Sequence, residues 1–202
     1  MFGNETARRS TVILAVPLAA LTVGGTQAMA ASEKTVTDTA GHAFGRLGPL
    51  SDLVVERLRV GDRVAASKFG TDKPIDDPAR EEQELASVRT RAFALGLDPE
   101  RTAAFFSDQI TASKVVQRGL FDRWTAHPEQ APTTRPDLTE IRAELDELTT
   151  SLLTELAATN DAREPGAPCR VDVLEAQISA DVVDHLDELH RTALRTALQS
   201  LC

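Results

Sequence analysis

Helix-start signals at three aspartates divide most of this chain into segments with helical periodicity. Asp77 and Asp98 are each followed by proline, and Asp137 is followed three residues later by Glu140. Aspartate caps exposed N–H groups, and proline suits the first helical position. No alternating β-type pattern is present, so we predict an all-α, single-domain fold of about five to six helices. The expected helices span about 47–69, 78–95, 99–125, a segment beginning after Asp137, and about 170–200.

The first thirty residues predict a signal peptide. Arg8 and Arg9 precede an apolar run over 12–23, and residues 28–30 form a small-x-small cleavage site. The run is too short to span a bilayer comfortably. We therefore expect a secreted or periplasmic protein, with no membrane association after cleavage; the general secretory and twin-arginine routes both stay open. Residues 31–46 are small and polar and predict a flexible segment, which leaves 47–202 as the domain.

The composition argues against several classes of function. The formal net charge is −9, which disfavours a nucleic-acid partner. Cys169 and Cys202 are the only cysteines. In an exported protein such a pair predicts a disulfide, which would stabilise by roughly 3–4 kcal/mol. We expect no metal site and no cofactor, because the histidines lack ligand spacing and no nucleophile has an evident activating base.

Polar side chains interrupt the apolar stripes of four predicted helices. Arg57 and Lys68 share the face of the first helix that carries Leu50, Val54 and Val64. Burying an unpaired charge costs several kcal/mol, so such a face is directed at a partner or ligand of opposite charge. The other residues that point inward or border the same region are Asp77, Arg80, Glu81, Ser113, Gln117 and Arg142. Cations dominate this set, which predicts a pocket for a small dianion.

Structural explanations exist for single members of this set. Capping alone accounts for Asp77. An Arg57–Glu81 salt bridge would satisfy both charges in the core. Ser113 can hydrogen-bond back to a helical carbonyl. The combination of residues is what favours a ligand pocket.

Four stretches follow one another in an order that resembles a known family. They read ERLRVGDRVAASKFG, PIDDPAREEQEL, FFSDQITASKVVQ and PDLTEIR, and the paired late cysteines follow them. This pattern is similar to the all-helical chorismate mutases, especially their secreted gamma subclass. The resemblance implies an isomerase that converts chorismate to prephenate as a homodimer. It also implies a pocket within one chain, where Arg142 replaces an arginine that a partner subunit supplies in cytoplasmic forms.

The resemblance assigns a role to each residue of the inward set. Arg57 and Arg142 would bind the two carboxylates of chorismate. Lys68 and Gln117 would donate to the ether oxygen whose bond breaks. Glu81 would accept from the ring hydroxyl. Asp77 and Arg80 would shape that end of the pocket, and Ser113 would lie near a carboxylate.

The chemistry implied by the resemblance explains why the motif set lacks a nucleophile. An intramolecular pericyclic rearrangement needs a held conformation and stabilisation of developing charge, with no metal or proton shuttle. Secreted relatives can carry glutamate where Gln117 stands, and an amide donates without first being protonated, so we expect no dependence on acid pH. Two alternatives stay open: an isochorismate pyruvate lyase, and a non-catalytic exported helical binding protein.

Overall fold

Residues 42–202 are described by a computed structural model, and they form six α-helices with two short 3₁₀ helices. The α-helices are α1 (Gly48–Lys68), α2 (Pro78–Ala94), α3 (Pro99–Ala126), α4 (Leu138–Ala158), α5 (Ala167–Asp184) and α6 (Glu188–Ala197). The 3₁₀ helices span Pro128–Gln130 and Asn160–Arg163. This part of the chain contains no strand, and the predicted all-α fold is confirmed. The predicted signal peptide and residues 31–41 lie outside the described residues.

The predicted helix starts are confirmed by side-chain caps. Asp77 accepts from the N–H of Arg80, Asp98 from those of Glu100 and Arg101, and Asp137 from that of Thr139. Each cap satisfies N–H groups that the first helical turn leaves without a partner. These local signals set where α2, α3 and α4 begin.

The prediction of one continuous helix over 170–200 is wrong. His185 adopts a left-handed conformation with φ 51°, and α5 ends there. Asp187 then caps α6 by accepting from the N–H of His190. Leu186 is buried in the turn between them. After this break α6 packs on α3 and α1.

The buried face of α5 differs from the one that its large apolar residues indicate. Leu174, Ile178 and Val182 recur at four-residue spacing, which predicts that they face the core, but they are 56–64% exposed. Ala176, Ser179 and Ala180 are buried instead, and α5 packs on α1 through this side. Small residues let two helix backbones approach closely, so the periodicity of large apolar residues indicated the wrong face.

The core lies around α1, which packs on α3, α4, α5 and α6. Its largest fully buried side chains include Phe105 and Phe106 of α3 and Leu152 and Leu156 of α4. A smaller apolar cluster joins α1 to α4 through Val60, Val64, Ile141 and Leu148. The main core and this smaller cluster fix the positions of α1, α2, α3 and α4 around one cavity.

Both ends of the described region are anchored. The predicted disulfide is confirmed and joins Cys169 in the first turn of α5 to Cys202. Residues 42–46 were part of the predicted flexible segment, but Ala43 is buried and its N–H donates to Asp52. This hydrogen bond holds Ala43 against α1. None of the helices over 42–202 is long and apolar enough to cross a bilayer.

His190 is partly buried and lies between two carboxylates. Its ring lies within hydrogen-bond distance of Asp187 on one side and Asp62 of α1 on the other, at 2.7 and 2.9 Å. The side chain is only 14% exposed. The hydrogen bond with Asp62, and then that with Asp187, raises the pKa of His190, although burial opposes them. This contact ties the start of α6 to α1.

Candidate active site

A cavity of about 640 Å³ lies between α1, α2, α3, α4 and the loops that precede α2 and α4. All eight sequence-predicted site residues line it: Arg57, Lys68, Asp77, Arg80, Glu81, Ser113, Gln117 and Arg142. They come from four helices and one helix cap, so the fold brings together residues that are far apart in the sequence. Apolar side chains of Val64, Ile110, Ile141 and Leu145 cover other parts of the wall. Such a mixture of apolar walls and converging polar groups is typical of a small-molecule site.

Arg57 is held from two sides. Its side chain is 6% exposed, and its Nη1 lies 3.3 Å from Thr149 Oγ1 and 3.4 Å from the carbonyl oxygen of Leu145. Its Nη2 donates to Glu84 Oε1 at 2.7 Å. The core salt bridge considered from sequence, Arg57–Glu81, is therefore not formed. Glu84, one helical turn further along α2, takes that place and balances the buried charge.

Lys68 is the last residue of α1 and projects into the cavity. Its ammonium lies 3.3 Å from the carbonyl oxygen of Ile75. Among residues 42–202, no carboxylate lies within ion-pair distance of it. Burial lowers the pKa of Lys68; Asp77 opposes this shift, and Arg142 adds to it. Asp76 and Glu81 also oppose the shift, so burial is what mainly disfavours the charged form, and an anionic ligand close to the ammonium would stabilise it.

Gln117 and Ser113 are stacked on successive turns of α3, as the four-residue spacing predicts. Gln117 Nε2 lies 3.1 Å from Ser113 Oγ, and its buried Oε1 has no hydrogen-bond partner among the described residues. The side chain of Gln117 is therefore incompletely satisfied. Nε2 also lies 3.3 Å from the carbonyl oxygen of Ser113, so to donate to a ligand the N–H₂ group must turn away from Ser113 and give up this contact.

Glu81 is fixed at both carboxylate oxygens. Oε1 accepts from the backbone N–H of Asp77 at 3.0 Å, and Oε2 accepts from the Lys114 ammonium at 2.7 Å. Asp77 in turn caps α2, so the capping role considered from sequence is present. Arg80 is exposed at the cavity rim, as is Arg142 on α4.

The sequence-predicted site leaves out five charged residues of the lining. They are Glu84, Lys114, Lys73, Arg135 and Asp137, the last of which was predicted only as a helix cap. The helical position of Glu84, three residues after Glu81, was a usable signal. Lys73 and Arg135 lie in loops, where periodicity gives no direction. The whole lining carries seven lysine or arginine side chains and four carboxylates, so the predicted surplus of positive charge holds for the cavity.

Comparisons with known proteins agree with this geometry. Residues 49–118 match the family model for chorismate mutase type II. The secreted chorismate mutase of Mycobacterium tuberculosis is 34% identical over 160 residues, which cover 78% of each chain. The chain belongs to the chorismate mutase family. The secreted chorismate mutase of Mycolicibacterium smegmatis is 35% identical over 77% of this chain and 86% of its own. These relatives confirm the prediction of a secreted protein.

Solved structures of the family share the fold. The chorismate mutase of Burkholderia phymatum superposes with a TM-score of 0.73 at 36% identity and covers 78% of this chain and 96% of its own. The secreted chorismate mutase of Yersinia pestis, at 24% identity, superposes with a TM-score of 0.62 over 76% of this chain and 95% of its own. The second likeness shows the fold alone. The helical arrangement around the cavity is therefore the fold of this family.

Proposed function

We propose that this chain isomerises chorismate to prephenate in the cavity between α1 and α4. In this reaction the ether C–O bond breaks while a C–C bond forms within the same molecule, so atoms and electrons balance without a co-reactant. The observation that carries the proposal is the convergence of all eight predicted residues on one cavity with a surplus of positive charge. A dianionic substrate is the ligand that this charge favours.

The roles proposed for Lys68 and Gln117 follow from where charge develops. Negative charge grows on the ether oxygen as its bond breaks. An ammonium in a partly desolvated pocket stabilises that charge more than it stabilises the ground state. Lys68 meets this description because, within residues 42–202, its ammonium is hydrogen-bonded only to the carbonyl oxygen of Ile75. The amide of Gln117 would supply the second donor once its N–H₂ group turns away from Ser113 toward the substrate.

The proposed substrate clamp uses Arg57 and Arg142 for the two carboxylates. Arg57 can serve while staying anchored, because a guanidinium has five N–H donors and its bonds to Glu84 and α4 use only part of them. The two anchors fix its plane, which favours a defined carboxylate position. Glu81, held at both oxygens, keeps lone pairs for the ring hydroxyl.

The test is a direct assay of purified full-length protein. Chorismate disappearance and prephenate formation are followed together, with the Lys68→Met variant as the control for cavity-dependent turnover. We expect prephenate as the product and a large loss in the variant. Release of pyruvate from isochorismate with no prephenate would favour the lyase. Binding without turnover of either compound would favour the non-catalytic binding protein.

We also propose that the chain forms a homodimer, as the family resemblance implies. Size-exclusion chromatography with light scattering measures the mass directly. A mass of one chain at micromolar concentration would contradict this proposal without affecting the proposed chemistry.

A further inference from the structure

Lys114 on α3 bridges two carboxylates at the cavity wall. Its ammonium donates to Glu81 Oε2 at 2.7 Å and lies 3.1 Å from Asp76 Oδ1. Asp76 is also bound by Arg118, whose Nη2 lies 2.9 and 2.8 Å from its two carboxylate oxygens. Two cations of α3 therefore alternate with two anions, one from the loop before α2 and one from the first turn of α2.

The arrangement constrains groups that line the cavity. Asp76 lies between Ile75, whose carbonyl receives the Lys68 ammonium, and Asp77, which caps α2. Fastening Asp76 to α3 therefore fixes the loop next to Lys68. Binding of Glu81 by the same ammonium fixes the first turn of α2. Lys114 is 19% exposed, so water screens these contacts less than it screens an ion pair at the open surface.

We propose that Lys114 is a positioning residue, which orients the Glu81 carboxylate and the Asp76 loop for the substrate and does not itself contact the substrate. This inference rests on the proposed function. Its basis is that the ammonium already has two carboxylate partners, whereas Glu81 keeps lone pairs directed by two fixed donors. Partial burial lowers the pKa of Lys114, but the hydrogen bonds to Glu81 and Asp76 raise it by more, so the side chain stays charged at ordinary pH.

The test is a double-mutant cycle on kcat/KM for chorismate. The substitutions are Lys114→Met, Glu81→Gln and the two combined. Lys114→Met keeps the aliphatic length and removes the ammonium, and we expect it to lower kcat/KM about tenfold, equal to a loss of roughly 1.4 kcal/mol of transition-state stabilisation. If Lys114 acts through Glu81, adding Lys114→Met to Glu81→Gln should change kcat/KM by less than about threefold.

A matched control separates positioning from loss of an interhelical ion pair. Arg89 of α2 binds Glu100 of α3 through two contacts, at 2.8 and 3.1 Å, away from the cavity. Arg89→Met therefore removes an ion pair between the same two helices, and we expect unchanged kcat/KM. Lys114→Arg, which keeps the charge, should recover most of the activity lost in Lys114→Met.

Three outcomes would overturn the inference while wild-type protein turns over chorismate. They are full activity of Lys114→Met, independent multiplicative losses in the double variant, and an equal loss in the Arg89→Met control. Independent losses would mean that Lys114 does not act through Glu81. If Lys114→Met does not fold, Lys114→Gln takes its place in the same cycle. Absence of turnover in wild-type protein would instead refute the proposed function.

Discussion

Replacing Gln117 by glutamate tests whether this side chain donates to the ether oxygen. Gln117 is 4% exposed, so an introduced carboxyl would be desolvated, which raises its pKa above the ordinary value of about 4.3, while the cavity cations oppose that rise. When protonated, the carboxyl donates as the amide does. When ionised, it donates nothing and places negative charge where negative charge develops.

The magnitude follows from these two states. Loss of one donor to a developing oxyanion costs about 10²–10³ in rate, or roughly 2.7–4 kcal/mol. Above its pKa, the protonated fraction of the carboxyl falls tenfold per pH unit. We therefore expect kcat/KM of Gln117→Glu to lie within about tenfold of wild type at pH 5, and to fall by about 10² or more by pH 8.

The assay is the initial rate of chorismate consumption at subsaturating substrate, measured from pH 5 to 8, with circular dichroism at each pH. Wild type should be nearly flat over this range. Gln199→Glu introduces the same charge at an exposed position beyond α6, and its profile should match wild type. Parallel profiles for Gln117→Glu and wild type would refute the proposed contact with the ether oxygen.

Three further predictions concern catalysis and stability. Lys68→Met should lower kcat by about 10²–10³ with little change in thermal unfolding, and an unchanged kcat would remove Lys68 from the reaction. Gly48→Ala should lower the free energy of unfolding in urea by about 1–3 kcal/mol, because the added Cβ would lie 2.1 Å from the carbonyl oxygen of Ala43. Gly61→Ala is the control, since its Cβ would meet no atom closer than 3.5 Å. An equal loss in Gly61→Ala would contradict this reasoning. His190→Gln should lose more unfolding free energy at pH 5.5 than at pH 9. The carboxylates of Asp62 and Asp187 raise the pKa of His190 in the folded state. Their stabilising effect is therefore complete below the unfolded-state pKa of about 6.5 and disappears as the pH rises through the folded-state pKa. A pH-independent difference between variant and wild type would contradict this.

Local chemistry explains why most of the helices could be predicted. The caps at Asp77, Asp98 and Asp137 act within three residues, so the sequence contains the whole interaction. The end of α5 has no such signal, since His185 stands in a left-handed position where glycine is the usual residue. A capping aspartate at 187 was visible, but the apolar periodicity continued through it and favoured one helix.

Which residues line the site was easier to predict than which of them form ion pairs with one another. A charge inside an apolar stripe is an energetic anomaly that the sequence shows directly, and this located Arg57 and Lys68. The partner of Arg57 depends on how far α2 is rotated and shifted against α1. Glu81 and Glu84 are three residues apart on nearly the same face, so spacing could not choose between them. Only the packing of the helices in the structure shows that Glu84 pairs with Arg57 and Glu81 with Lys114.

The position of Arg142 bears on whether a second chain is needed for turnover. Arg142 of α4 lines the same cavity as Arg57 and Lys68 of α1, and α1 packs directly on α4 through their apolar cluster. Every cation proposed to act on the substrate therefore comes from one chain. If the proposed homodimer forms, its dissociation should leave these positions unchanged, because they rest on contacts within the chain.

The consequence can be measured as specific activity over a dilution series. With all acting groups in one chain, kcat per chain should stay constant from micromolar to picomolar protein, in buffer with an inert carrier that prevents surface loss. A site shared between chains would instead lose activity with a steep dependence on concentration, as dissociation removes one of its cations. Such a loss, reversible on reconcentration and without unfolding, would show that a residue of the second chain completes the cavity. It would also contradict the role proposed for Arg142.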